Sequence, residues 1–251
     1  MMTNVAKFKH QEFLVSVDWL LENLEDPNLR IYDCTAHLIP HPTETYTIGS
    51  GKGDYEKAHI PGADFLDLQQ ELSNNTSKLR FTFPSAEHFS KAIGAHGLSN
   101  DNQAILYSTT SPQWATRIWW MLRAFGFDNA KVLDGGLIRW MQKGYPTSTI
   151  PSTYPEQSFT AKPRPGLIIQ KSEVLEGIHE SNTCIINALS QEQHIGVGGR
   201  TYGRPGRIKD SENVPTTELI DPESNEFYPA AVIAERFASV GTQSSDRILT
   251  Y

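Results

Sequence analysis

The sequence predicts an α/β fold built twice in tandem, each copy a mostly parallel sheet with helices on both faces, the second copy incomplete. Three observations predict it. Short apolar runs alternate with stretches of helical periodicity, the βαβ pattern of parallel sheets, whose strands need a crossover over one face. Apolar, Pro and Gly positions also recur at a nearly constant interval: Pro229 follows Pro84 by 145 residues, Ile233, Phe237 and Gly241 follow Phe89, Ile93 and Gly97 by 144, and Ile248 and Leu249 follow Ile105 and Leu106 by 143. Upstream, Ile208 follows Ile60 by 148 and Asn187 follows Asp33 by 154, so the second copy has shortened its early loops. Finally, the stretch 146–165 holds five prolines and several Ser and Thr residues, the composition of a linker. The organisation expected is a first domain over 12–145, a linker over 146–166 and a second domain over 167–251.

The elements follow in order. Ser16 caps a helix whose Val17, Leu20, Leu21 and Leu24 share a face, with Pro27 beyond its end. Leu29 to Tyr32 reads as a buried strand ending at Asp33, and the His-, Pro-, Thr- and Gly-rich stretch from Ala36 to Gly53 as a loop. A short helical piece breaks at Pro61-Gly62 before a strand at Asp64-Phe65-Leu66. Pro84-Ser85 starts the next helix and Gly97 stops it. The strand Ala104 to Tyr107 runs through Ser108-Thr109-Thr110-Ser111 into a helix carrying Trp114, Ile118, Leu122 and Phe125 at helical spacing, an aromatic stripe that reads as core. Lys131 to Leu133 is the last strand of the first copy, and a closing helix begins after Gly135-Gly136. In the second copy Cys184-Ile185-Ile186 and Arg247 to Tyr251 are the strands.

Composition excludes some functions. At 251 residues, with 38% hydrophobic and 20% charged residues, the chain can bury two ordinary cores without disulfides. A net charge of -7 and the lack of a Lys/Arg run argue against a nucleic-acid partner. No membrane segment or secretory signal is read, and the cytoplasm is the expected location. Cys34 and Cys184 lack metal-ligand spacing and lie in or just after apolar strands, where a buried small hydrophobe is expected. His37 and His41 fall in the predicted loop without a third ligand at fixed spacing, and no cofactor or metal motif is present: Gly49-Ser50-Gly51-Lys52-Gly53 lacks the Walker spacing.

In an α/β sheet, the loop leaving the carboxyl end of a central strand gathers backbone N–H groups able to hold an anion or thiolate. That position occurs twice, after Tyr107 and after Tyr251. Tyr55 to Ala63 (YEKAHIPGA), Arg117-Ile118-Trp119-Trp120, Val132-Leu133-Asp134-Gly135-Gly136, Gly203 to Ile208 (GRPGRI) and Asn213-Val214-Pro215 together resemble the rhodanese family of sulfurtransferases in its tandem two-domain form. The resemblance covers nearly the whole chain. It implies a five-stranded, mostly parallel sheet in each domain. It also implies sulfane-sulfur transfer from a small-molecule donor, thiosulfate or 3-mercaptopyruvate, to a cyanide or thiol acceptor through a cysteine persulfide, with no nucleic-acid or membrane partner. The family places its cysteine directly after the strand that here is Arg247 to Tyr251, so the expectation is that the nucleophile follows Tyr251 and is missing from these residues. In the first domain Ser108 fills that slot, and a hydroxyl without a base beside it fits an inactive scaffold. Arg200, Arg204 and Arg207 crowd a Gly-rich segment as candidates for an anionic donor. His37 is a further candidate, beside Ala36 where relatives often carry Trp. Asn187, Leu189 and Gln193 stand where relatives carry Asp, Arg and Arg, which puts donor preference in question. The competing readings are an inactive rhodanese-fold binding or regulatory protein and a phosphatase on the same fold; the latter needs a cysteine that the first-domain loop lacks.

Overall fold

The computed structural model describes residues 7–41, 46–198 and 203–251. Strand β1 (Leu14–Val15) leads into helix α1 (Val17–Glu22), which starts where the Ser16 hydroxyl accepts the Trp19 N–H at 3.1 Å. That bond satisfies one of the N–H groups a helix start leaves without a partner. Next come β2 (Leu29–Asp33), β3 (Ala36–Pro40), β4 (Tyr46–Ser50), the short α2 (Lys52–Tyr55) and β5 (Asp64–Phe65). Helix α3 (Ala86–Ala95), β6 (Gln103–Tyr107), α4 (Gln113–Ala124), β7 (Ala130–Leu133) and α5 (Gly136–Gln142) complete the first half. The second half runs α6 (Lys171–Gly177), β8 (Thr183–Asn187), α7 (Gln191–Ile195), β9 (Glu212–Asn213), α8 (Ala230–Ala238) and β10 (Arg247–Thr250).

The first sheet has the order β1-β7-β6-β2-β5 and is parallel throughout. Alternation along its central strands sends side chains to opposite faces. Ala104 and Leu106 join Tyr32, Phe89, Trp114, Ile118 and Leu122 in one core under α3 and α4. Ile105 and Tyr107 join Ile31, Leu20, Leu137 and Trp140 in another under α1 and α5. Helices therefore cover both faces, and the aromatic stripe of α4 is core as expected. The second sheet is smaller among the described residues: three parallel strands in the order β10-β8-β9, with Cys184, Ile186 and Val214 as its buried cluster.

Two readings of the sequence are corrected. The stretch after Ala36 is not a loop: β3 and β4 form an antiparallel pair with Leu38 opposite Ile48. Pro40, at the strand end, is compatible with it because it stands where the ladder stops; the turn-rich composition hid the alternation. The proline-rich segment 146–165 is not a free linker either. It is an extended strap on the first half, where the Tyr154 hydroxyl accepts the Ile31 N–H at 2.9 Å and donates to the Gly62 carbonyl at 2.7 Å. Phe159 is buried, and the Lys162 and Arg164 N–H groups bond the Phe125 and Ala124 carbonyls at 2.7 and 2.8 Å. Prolines keep such a strap extended at little entropic cost.

His96, at the end of α3, ties three segments together. Its ring contacts the carboxylates of Asp64 at 2.7 Å and Glu71 at 3.1 Å, while its carbonyl accepts the Tyr32 hydroxyl. Burial disfavours the imidazolium, but the two carboxylates outweigh burial and raise the pKa from 6.5 to about 9. A folded pKa above the unfolded one stabilises the fold fully below pH 6.5, and that stability is lost as pH rises through 9. Allowing for the solvent exposure of Glu71, urea titrations should lose about 2 kcal/mol across this window. His96→Gln should be less stable at the acid end and flat across it; an equal slope in the variant would assign the dependence elsewhere.

Candidate functional site

The carboxyl ends of the central strands carry the same hydrogen-bond circuit in both halves. In the first, the Ile60 N–H donates to the Tyr107 hydroxyl at 3.2 Å, Cys34 N–H to the Tyr107 carbonyl at 2.8 Å, Thr35 N–H to the Asp33 carboxylate at 2.9 Å and Leu66 N–H to the Asp33 carbonyl at 2.9 Å. In the second, the Ile208 N–H donates to the Tyr251 hydroxyl at 2.9 Å, Ala188 N–H to the Tyr251 carbonyl at 2.9 Å, Leu189 N–H to the Asn187 side-chain oxygen at 2.8 Å and Val214 N–H to the Asn187 carbonyl at 3.0 Å. Left-handed backbone recurs as well: Asp210 at φ 58° stands where the first half has Gly62 at 80°.

Strand register fixes the alignment. Asp33 pairs with Tyr107, and Thr250 with Ile186, which brings Tyr251 beside Asn187. A single interval of 144 then holds from the helix caps Ser85 and Pro229, through Gly97 and Gly241, to Tyr107 and Tyr251. The intervals of 145 and 143 read from matching residue types were each off by one, because the cap is Ser in one copy and Pro in the other and because Ala104, Ile105 and Leu106 correspond to Ile248, Leu249 and Thr250.

Around the first-half loop, Ser108 is buried and its hydroxyl donates to the Ser111 carbonyl at 2.6 Å. Among the described residues its hydroxyl has no base as a hydrogen-bond partner. Beneath it, Asp33 is fully buried, and burial pushes its carboxyl up against the opposing bonds from Thr35, Tyr107 and Thr109. Thr35 closes the loop by accepting the Thr109 N–H at 2.8 Å. Gly136 makes room for the Ser108 carbonyl, which a Cβ there would meet at 2.5 Å. The loop is also docked to the second half: Asn225 donates to the Thr110 carbonyl at 2.7 Å, and Asp134 accepts the Phe227 N–H at 2.8 Å. Burial raises Asp134 to about 6.

The remaining candidates are dispersed. His37 lies on β3, half-exposed, paired with Asp54 at 2.8 Å. Arg204 and Arg207 are exposed on a turn whose Gly203 and Gly206 take φ 102° and 100°. Arg200 lies outside the described residues. Neither His37 nor Ser108 hydrogen-bonds Arg204 or Arg207 among the described residues. Burial, with the charge of Arg207, holds His194 on α7 below its usual pKa, and its buried Nδ1 has no hydrogen-bond partner among the described residues. Both cysteines are buried and burial raises their thiols, Cys34 well above the usual range, so neither is an activated nucleophile. His59 of the YEKAHIPGA stretch is fully buried, stacks on Tyr55 at 4.0 Å and bonds the Tyr55 and Ile150 carbonyls, so that motif is scaffold here. The bonding roles of Thr35, Thr109 and Asn225 were not anticipated; the tyrosines at the two strand ends and the matches of Ile208 to Ile60 and of Asn187 to Asp33 pointed toward this circuit. Among the described residues no cluster of three or more His, Cys, Asp or Glu could hold a metal, and no helix is long and apolar enough to cross a membrane.

Comparison with known proteins places this geometry in a family. The rhodanese-like domain model matches residues 16–143. Thiosulfate/3-mercaptopyruvate sulfurtransferase 2 of Arabidopsis thaliana is 32% identical over 260 residues, covering 93% of this chain and 73% of the relative. Thiosulfate sulfurtransferase of Rattus norvegicus is 29% identical over 231 residues, covering 86% and 73%. The crystal structure of SseA from Escherichia coli, a 3-mercaptopyruvate sulfotransferase of rhodanese fold, superposes with a TM-score of 0.79 at 30% identity over 95% of this chain and 87% of that one. With the parallel sheets and the doubled strand-end circuit, these matches establish that the chain belongs to the rhodanese family of sulfurtransferases.

Proposed function

We propose that the protein moves sulfane sulfur from thiosulfate or 3-mercaptopyruvate to cyanide or a thiol, through a persulfide on a cysteine encoded directly after Tyr251. The observation that carries this reading is the shared circuit: Tyr251 is anchored as Tyr107 is, so the residue after Tyr251 takes the place of Ser108, at the mouth of the strand that matches β6. A thiolate there attacks the outer sulfur of thiosulfate, whose S–S bond breaks to expel sulfite, or the thiol sulfur of 3-mercaptopyruvate, whose C–S bond breaks to leave the pyruvate enolate, which takes up the proton that the thiol carried. Cyanide or a thiolate then takes the terminal sulfur, and the enzyme thiolate returns. The first domain, 12–145, serves as scaffold, with Ser108 as its unreactive slot. The segment 146–166 joins it to the second domain, 167–251, whose Arg200, Arg204 and Arg207 hold the anionic donor. The cytoplasm is the compartment in which this chemistry operates.

The experiment is a thiosulfate-to-cyanide and mercaptopyruvate-to-cyanide assay on the product encoded by the whole gene, beside the 251-residue chain. Turnover is expected in the former and is expected to fall by about a thousandfold or more when the cysteine after Tyr251 becomes Ser, since a hydroxyl is a poor nucleophile without a base. The 251-residue chain should be inactive. A residue other than Cys at that slot, or full turnover by the 251-residue chain, would overturn the reading. A folded gene product with no turnover on either donor would point to a binding or regulatory role.

A further inference from the structure

The two circuits differ in their acidic group and in the direction of their hydrogen bonds. In the first half the Tyr107 hydroxyl takes the Ile60 N–H and hydrogen-bonds the Asp33 carboxylate. Asp33 also reaches within 3.4 Å of the Thr109 hydroxyl, the second residue of the loop, so a buried carboxyl group lies directly under that loop.

In the second half an amide replaces that carboxyl. The Asn187 amide is held by the Leu189 N–H on its oxygen, which turns its nitrogen to donate to the Tyr251 hydroxyl at 3.0 Å. That hydroxyl oxygen also accepts the Ile208 N–H at 2.9 Å. With two donors already on it, Tyr251 sends its own proton to the Ser211 hydroxyl at 2.9 Å, and Ser211 donates onward to the Ile208 carbonyl at 2.8 Å. Ser211 holds the place of Ala63: each donates its N–H to the carbonyl three residues earlier, Ile208 at 3.2 Å and Ile60 at 3.0 Å. Every oxygen of the ring is hydrogen-bonded, none of its groups is a carboxyl, and Asn187 is fully buried.

We propose that Asn187 and Ser211 form a charge-neutral floor beneath the loop that leaves β10 and, acting through Tyr251 as positioning residues, favour the anionic form of a sulfur nucleophile in that loop. The inference rests on the proposed cysteine after Tyr251. A carboxylate in place of Asn187, at the reach Asp33 has in the first half, would oppose a thiolate or persulfide anion at close range. The other charged or titratable groups on the elements packed here are Cys184 on β8, Arg247 on β10 and Tyr251 just after it, Glu212 on β9, Glu192 and His194 on α7, and Arg207, Lys209 and Asp210 in the preceding turn. Of these only Arg207, Lys209 and Arg247, and His194 when protonated, favour an anion.

The test uses the whole gene product, with Asn187→Asp, Ser211→Ala and the double variant, which recreates the first-half set of Asp33, Ala63 and Tyr107. The readout is the pH profile of iodoacetamide alkylation. The 251-residue chain, whose two cysteines are buried, supplies the background. In both Asp variants the midpoint of the profile should rise by about one pH unit or more, with alkylation at pH 7 falling roughly tenfold. Ser211→Ala alone should leave the midpoint in place. Folded Asp variants with an unmoved midpoint overturn the proposal while leaving the sulfurtransferase reading intact. A double variant that cannot fold, when the same set folds in the first half, overturns the equivalence on which it stands. A wild-type product with no thiol to alkylate above background overturns the sulfurtransferase reading itself, and this inference with it.

Discussion

Amide hydrogen exchange of the 251-residue chain is expected to divide it in two, with protection around Ile105 exceeding that around Ile185 and Leu249 by about a thousandfold or more. Strand β6 lies between β7 and β2 and is buried on both faces, and Ile105 is fully inaccessible. Strand β10 pairs only with β8 among the described residues, and its Ile248 is 48% exposed. The first sheet rests on two clusters that include Trp140, Phe89, Leu20 and Ile93, the second on Cys184, Ile186 and Val214. At about 1.5–3 kcal/mol for each fully buried large apolar side chain, a few such residues suffice for a thousandfold difference in opening. Exposed strand edges also invite pairing between chains, so exchange should be measured at low concentration. Equal protection at Ile105 and Ile185 would mean that the second sheet is stabilised by something other than its own core.

Periodicity made much of this architecture legible. Ser16 caps a helix where the sequence placed a cap, a helix starts at Pro84-Ser85 as read, and Trp114, Ile118 and Leu122 are core because their spacing matches the helix repeat. What escaped was structure whose chemistry is not periodic. The β3–β4 pair is written in His, Pro, Thr and Gly, the letters of turns, and only pairing across the ladder reveals it. The strap carries five prolines, which describe an extended chain equally well whether it is solvated or packed; Tyr154 and Phe159 decide the matter, and their partners are remote in sequence. At the candidate site the tyrosines and the Asp33/Asn187 exchange were visible as letters. Their bonds were not, because the direction of a hydrogen bond depends on which donors share one oxygen. Thr35, Thr109 and Asn225 lie in segments with no pattern of their own and become site residues only when strand ends and loops converge.

Gly97→Ala is expected to lower stability by about 3 kcal/mol or more, far beyond the usual cost of alanine at a helix end. Gly97 terminates α3 in the left-handed region, at φ 74°, with its N–H on the Gly94 carbonyl at 2.9 Å and the Leu98 N–H on the Ile93 carbonyl at 3.3 Å. This paired closure calls for glycine because a Cβ is disfavoured at that φ, by about 1 kcal/mol. The larger part of the cost comes from the strap, since a Cβ on Gly97 would stand 2.3 Å from the Tyr154 Cβ and 2.8 Å from the Pro155 carbonyl oxygen. Backbone must move to admit it, and Tyr154 then loses its bonds to Ile31 and Gly62. The second copy supplies the control: Gly241 holds the equivalent place at φ 81°, and a Cβ there would meet nothing within 4 Å. Gly241→Ala should therefore cost only the conformational part, about 1 kcal/mol. Urea denaturation gives both values, and limited proteolysis should open the strap near Ser152 in Gly97→Ala alone. If the two alanines cost the same, the strap contributes nothing at this contact and behaves as the free linker its composition suggests.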